Sequence, residues 1–207
     1  MISVEMTEAE FVEQLLLLTT EGRPFIPSVY SLLDKLTAEE IAKTGRQFAC
    51  HEGCSFCCHQ MVVCTEIEWQ AIQDYILAEM PFRARNELFK RAKRALPEWR
   101  HWLAQNEVKS QQDPFHVYKA WMGKPCVFLN EQGGCSIYPV RTIDCRSVAS
   151  DVQCTKLVRQ ENAHRFAFPW HQWANNLILD EQRAKSFMGV TPLLHMMDVL
   201  MSKMGKR

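Results

Sequence analysis

Nine cysteines stand in the 207-residue chain, and they are unevenly placed. Cys50, Cys54, Cys57, Cys58 and Cys64 fall within fifteen residues, and Cys126, Cys135, Cys145 and Cys154 follow at intervals of nine or ten. Residues 1–49 and 155–207 contain none. Thiolates are the ligands that soft and borderline metals prefer, so clustered reduced cysteines point to zinc or to an iron–sulfur cluster. Disulfides explain the pattern less well. The count is odd, adjacent Cys57 and Cys58 rarely close a ring with each other, and the sequence does not open on a basic segment followed by an apolar one. Ordinary burial of a single thiol suits Cys64, which lies in the apolar stretch Met61-Val62-Val63-Cys64.

The spacing separates the metals only in part. Zinc fingers pair two short hooks of cysteines two to four residues apart; residues 50–58 supply such hooks, but residues 126–154 do not. A four-iron cluster accepts more irregular spacing, with three ligands close together and one from elsewhere. Eight thiolates suffice for two four-ligand sites, or for one cluster beside a structural zinc, and the pairing stays open. Because 67 residues separate Cys58 from Cys126, a shared site would staple distant parts of the chain and couple metal loading to folding.

The residues Cys50-His51-Glu52-Gly53-Cys54-Ser55-Phe56-Cys57-Cys58, then Pro125-Cys126, Gly134-Cys135-Ser136-Ile137-Tyr138, Arg141 and Cys145-Arg146, carry a resemblance. The stretch 50–154 resembles the CxxCxxCC, or YkgJ-type, cysteine-cluster family, whose domain is described as zinc- or iron-chelating. The resemblance implies that Cys50, Cys54, Cys57, Cys58, Cys126, Cys135, Cys145 and Cys154 form the metal-binding set, with Cys64 outside it. Two departures stand out: the first gap holds three residues instead of two, and Thr142 stands where the family often has proline. Relatives that methylate flagellin lysines look similar in this region and are linked to a four-iron cluster and S-adenosylmethionine. That makes methyl transfer a second alternative here, although a site must be argued from its own residues. Cys50, Cys54, Phe56 and Cys57 also fit the three-cysteine spacing of radical S-adenosylmethionine enzymes. Those enzymes use a barrel of alternating strands and helices, and that context is missing here.

Around the cysteines, His51 and His59 are expected to support or flank the ligands, since thiols are plentiful. Arg141 and Arg146 suit hydrogen bonding to anionic sulfur or to an anionic substrate, or else a surface pair. His164 and His171, seven residues apart with Trp170 beside the second, read as core or surface. No phosphate loop, nucleophile elbow or carboxylate pair is evident, so hydrolytic catalysis has no visible apparatus.

The elements that must hold these residues are mostly helical. Segment 7–20 opens with Thr7 and Glu10, a capping-box pair, and segment 65–80 opens with Thr65 and Glu68 in the same relation. The latter carries Ile67, Trp69, Ile72, Ile76 and Leu77 on its apolar positions. Residues 28–36 and 38–45 read as two short helices, the second capped by Thr37 and ended by Gly45. A long amphipathic helix runs from Pro81 to about Glu107, with Phe89, Ala92, Leu96, Trp99 and Leu103 along one stripe and Pro97 as a kink or break. Its opposite face carries Arg83, Arg85, Lys90, Arg91, Lys93, Arg94 and Arg100, read as a solvated face. Residues 126–138 pair two short apolar runs across Gly133-Gly134, a β-hairpin signal. Helices are expected again over 140–150, 162–188 and 192–202.

The fold class is therefore mainly α: one irregular helical domain over 1–207, with a short hairpin at about 126–138 in a cysteine core at 50–154. Equal counts of 24 basic and 24 acidic residues leave no overall charge for nucleic acid or anionic lipid, and no apolar run is long enough to span a membrane. The expected protein is cytoplasmic and binds a metal ion or cluster, with an iron–sulfur (4Fe–4S) centre ahead of a structural zinc module.

Overall fold

A computed structural model describes residues 6–45, 48–51, 53–112, 114–147, 150, 152, 154, 168–186 and 190–205. Helix α1 (Glu8–Thr20) begins at the Thr7–Glu10 capping box, which forms in both directions. Helix α2 (Phe25–Thr44) is one 20-residue helix where two were expected. Thr37 lies inside it, and its hydroxyl accepts a hydrogen bond from Trp170 Nε1 at 3.2 Å. The chain leaves α2 through Gly45, whose φ of 64° suits glycine.

Strand β1 (Val63–Cys64) leads into α3 (Glu66–Asp74), which starts at the Thr65–Glu68 capping box. The helix ends in a wide turn at Tyr75–Glu79, closed by the Met80 amide on the Tyr75 carbonyl. Ile67, Trp69, Ile72 and Ile76 are buried as expected; Leu77 is exposed, and Met80 is buried beyond it. Helix α4 (Phe82–Gln112) is continuous through Pro97. Pro97 sits on the exposed side, so the carbonyl that loses its helical donor faces water. Leu88, Ala92, Leu96 and Trp99 form the buried stripe.

Helix α5 (Pro114–Trp121) leads to the 126–138 reversal. The expected hairpin forms as a tight turn with a single antiparallel bridge, Leu129 to Cys135, flanked by the Asn130 amide on Gly134 O and the Ser136 amide on Phe128 O. The short helix α6 (Ile143–Arg146) follows, then α7 (Pro169–Ala184). Residues 162–167 of the expected helix, including His164, lie outside the described residues. Strand β2 (Thr191–Pro192) pairs antiparallel with β1 in the one two-stranded sheet among the described residues, and α8 (Leu193–Met204) closes the chain. No helix among the described residues is long and apolar enough to cross a membrane.

Two apolar clusters result. One gathers β1, most of α3, α4, α5 and α8, with Cys126, Cys135 and Cys145 packed against it. The other gathers α1, α2 and α7 with Ile67 and Ile143. Between them runs a buried polar chain. Glu68 Oε1 accepts from Tyr30 Oη and from the Ile143 amide, each at 2.8 Å, while its Oε2 serves Thr65. The guanidinium of Arg146 lies 4.2 Å from the centroid of the Tyr30 ring. It donates to Asp34 and to the carbonyls of Pro139 and Arg141. This chain fixes α6, and with it Cys145, against α2 and α3.

Candidate metal centre

The cysteine-rich stretch is irregular backbone held at several points. Gly53 has φ of 92°, a left-handed value that glycine tolerates, and the following turn closes with the Cys54 amide on His51 O. A 3-10 turn at Phe56–Cys58 then presents two thiols in succession. Two long-range hydrogen bonds tie this turn to the segment before the reversal: Cys126 N to Cys58 O at 2.6 Å, and Gly123 N to His59 O at 2.8 Å. At the other end the Ala49 amide donates to Ser150 O at 2.8 Å, and the Ser150 amide donates to Cys50 Sγ at 3.2 Å. Residues distant in sequence are thereby brought together.

All nine thiols are free; eight are partly buried, and Cys64 is fully buried. Their mutual influence divides them into two neighbourhoods. A side-chain hydrogen bond with Cys57, then burial, then the Cys57 charge push the Cys58 thiol far up, and Cys126 and Cys135 add to the effect. Cys126 is pushed up to about 12, first by burial, with the Phe128 amide opposing and the charges of Cys135 and Cys57 adding. Burial also raises Cys135 and Cys145; the charges of Cys126 and Cys135 reach Cys145, while Arg141 and Arg146 pull Cys135 back down. Cys57, Cys58, Cys126, Cys135 and Cys145 thus share one neighbourhood. Cys50 belongs to the other: burial raises its thiol, the Ser150 amide opposes, and Cys54, Cys154 and Cys57 act on it. Cys57 is common to both.

Cys64 stands apart from these groups. Its thiol donates to Thr191 O at 3.7 Å within the β1–β2 pairing, and after burial the charges acting on it are Glu68 and Glu66. His59 Nδ1 lies 2.9 Å from the Ser55 carbonyl, so that nitrogen carries the proton, while His51 is exposed. Arg146 is 7% exposed and is no surface residue. Arg141 stacks on Tyr138, its guanidinium carbon 4.0 Å from the ring centroid. His171 is buried on α7, next to Trp170, and belongs to the core.

The donors suit a thiophilic metal: at least four thiols share the first neighbourhood, and the positive charges of Arg141 and Arg146 act on Cys135 within it. They are gathered without being aimed. Among the described residues, no three Cys, His, Asp or Glu side chains stand in ready-made ligand geometry. Loading would require the thiols to ionise and turn toward one point, as coupled metal binding does elsewhere.

Sequence reasoning did not identify Tyr30, Asp34 or the second role of Glu68. The capping box marks Glu68, but its remaining oxygen is committed by a fold that brings α2 and α6 to it. Thr142 is more readable: its φ of −62° is a value that proline imposes, and Arg141 before it has the extended conformation that precedes proline.

Fold and site define a mainly helical protein with a cysteine-rich core. The family model for CxxCxxCC, described as "Putative zinc- or iron-chelating domain", matches residues 49–167, more than half of the chain, and the chain belongs to that family. No curated protein and no solved structure matches it.

Proposed function

We propose that the first thiol neighbourhood holds an iron–sulfur cluster of the four-iron type, giving the protein a redox or metal-handling role. The observation that carries the reading is the meeting of three stretches of chain, with the Cys126 amide on the Cys58 carbonyl, Cys135 bridged to Leu129 across the turn, and Cys126, Cys135 and Cys145 packed on one apolar cluster, a spacing that suits a cluster and no zinc hook. Cys50, Cys54 and Cys154 form a second, smaller group beside it, and Cys64 is a core thiol. A bound cluster would supply one-electron chemistry; Arg141 and Arg146 would offset the negative charge of its thiolates.

Anaerobic purification followed by iron, sulfide and zinc analysis tests the reading. Brown protein with iron and acid-labile sulfide is expected. Colourless protein with stoichiometric zinc overturns the cluster and favours the family's other metal, as a structural zinc module for a partner.

A further inference from the structure

Arg91 does not stay on the solvated face of α4. Its guanidinium leans over the 126–138 turn, donating through Nη2 to Ser136 Oγ at 2.7 Å and through Nε to Val127 O at 3.4 Å. Beside it, between α4, the end of α5 and the start of α8, opens a cavity of about 390 Å³, in the size range of small-molecule sites. Arg91, Arg94 and Lys124 line it, and Cys126 forms part of its wall. Trp121 and Leu194, 5% and 7% exposed, form its apolar floor. Lys124 Nζ lies 4.1 Å from the centroid of the Trp121 ring.

Charge in the cavity is one-sided. Glu98 is the carboxylate of its lining, paired with Lys124 at 2.7 Å, against three cations. Arg94 reaches Glu131 only at 3.9 Å, with the side chains 68% and 72% exposed, so that pair contributes little. A cavity with cations at its rim and an indole in its wall is complementary to a molecule with a negative end and a flat apolar body.

We infer that this cavity binds a small organic anion, carboxylate- or phosphate-bearing, and holds it against the Cys126 side of the metal centre. The inference rests on the metal-centre reading in one respect: Cys126 is there a ligand, so the anion would sit within reach of the metal's surroundings. Arg94 and Lys124 meet the charged end, Trp121 and Leu194 meet the body, and Arg91, fixed to Ser136, forms the wall between anion and turn.

Calorimetry on the anaerobically purified full chain tests this with phenyl phosphate, benzoate and uncharged benzamide. One anion should saturate a single site, weaken as salt is added, and bind at least tenfold more tightly than benzamide; the tighter of the two anions identifies the head group. The double variant R94Q/K124Q should lose at least tenfold in affinity while keeping the wild-type metal content and circular dichroism. Equal binding of benzamide, no saturation by either anion, or full affinity in a folded, metal-bearing R94Q/K124Q overturns the inference and leaves the metal centre standing. Protein that binds phenyl phosphate through Arg94 and Lys124 but carries no metal supports the cavity and overturns the metal-centre reading instead.

Discussion

The backbone amide of Cys126 donates to the backbone carbonyl of Cys58 at 2.6 Å, although 67 residues separate the two. A main-chain hydrogen bond thus joins the cysteine-bearing stretches around residues 54–58 and 126–135. Metal content should accordingly depend on thiols from both stretches. Cys57→Ser or Cys135→Ser should lose most of the bound metal and much of the soluble yield, whereas Cys64→Ser should keep wild-type content. Metal analysis of the three variants decides this, and equal loss in Cys64→Ser would remove the assignment of Cys64 to the core.

Metal affinity should climb steeply with pH. Burial and neighbouring thiols hold Cys58, Cys126, Cys135 and Cys145 in their protonated forms, with Cys126 up at about 12. A metal must displace those protons, so each thiol ionised on binding adds up to roughly tenfold in affinity per pH unit. Competition with a chromophoric chelator at pH 6, 7 and 8 measures the slope; a flat profile would mean that the ligands are already ionised.

Acid should destabilise the fold through His171. Burial, with the charge of Arg146 adding to it, lowers this imidazole to about 4 from its usual 6.5. Its folded pKa is depressed, so the contribution is fully present above the unfolded value near 6.5 and is lost as pH falls toward 4. Between pH 7 and pH 5 that amounts to about 2 kcal/mol. His171→Gln should shrink the pH 7 to pH 5 difference in urea-unfolding stability by that amount relative to wild type.

Arg146 is expected to be worth more to stability than any cation on the outer face of α4. Arg146→Lys keeps the charge but cannot serve Asp34, Pro139 O and Arg141 O together. A loss of about 3 kcal/mol is expected from carbonyls left without a donor. Lys93→Gln on the exposed side of α4 should change stability by less than about 0.5 kcal/mol. Thermal unfolding of both variants makes the comparison.

Thr142→Pro should be tolerated. The φ of −62° and the extended Arg141 already satisfy proline, and the buried Thr142 hydroxyl has the Cys145 thiol as its side-chain neighbour. A change of about 1 kcal/mol or less, toward greater stability, is expected in a melting experiment. A severe loss would show that the hydroxyl has a role of its own.

Much of this was readable where short-range rules act. The capping boxes at Thr7 and Thr65, the glycine stop at Gly45 and the apolar stripes of α3 and α4 each depend on residues within a turn or two of one another. The reversal around Gly133-Gly134 was likewise visible. What escaped depends on contacts between distant segments. Thr37 looks like a cap in isolation and is instead a partner for Trp170; the β1–β2 pairing joins residues more than 120 apart in sequence. Arg91 reads as one solvated cation among several until the 126–138 turn is placed beneath it. The clustering of the cysteines is legible in the sequence, but which cysteine-bearing segments meet is not, because near-equal spacings carry no information about long-range contacts.

The stretch carrying β1, α3, α4 and α5 forms an excursion whose two ends return to the same place, at Cys58 and Cys126. With a metal seated between those ends, the closed loop would act as a cross-link of the kind whose entropic benefit grows slowly with loop length. A nick within α4 would then leave two fragments that travel together until the metal is stripped. For such a chain, proteolytic damage and metal loss are one hazard: the cut becomes visible when the chelator arrives.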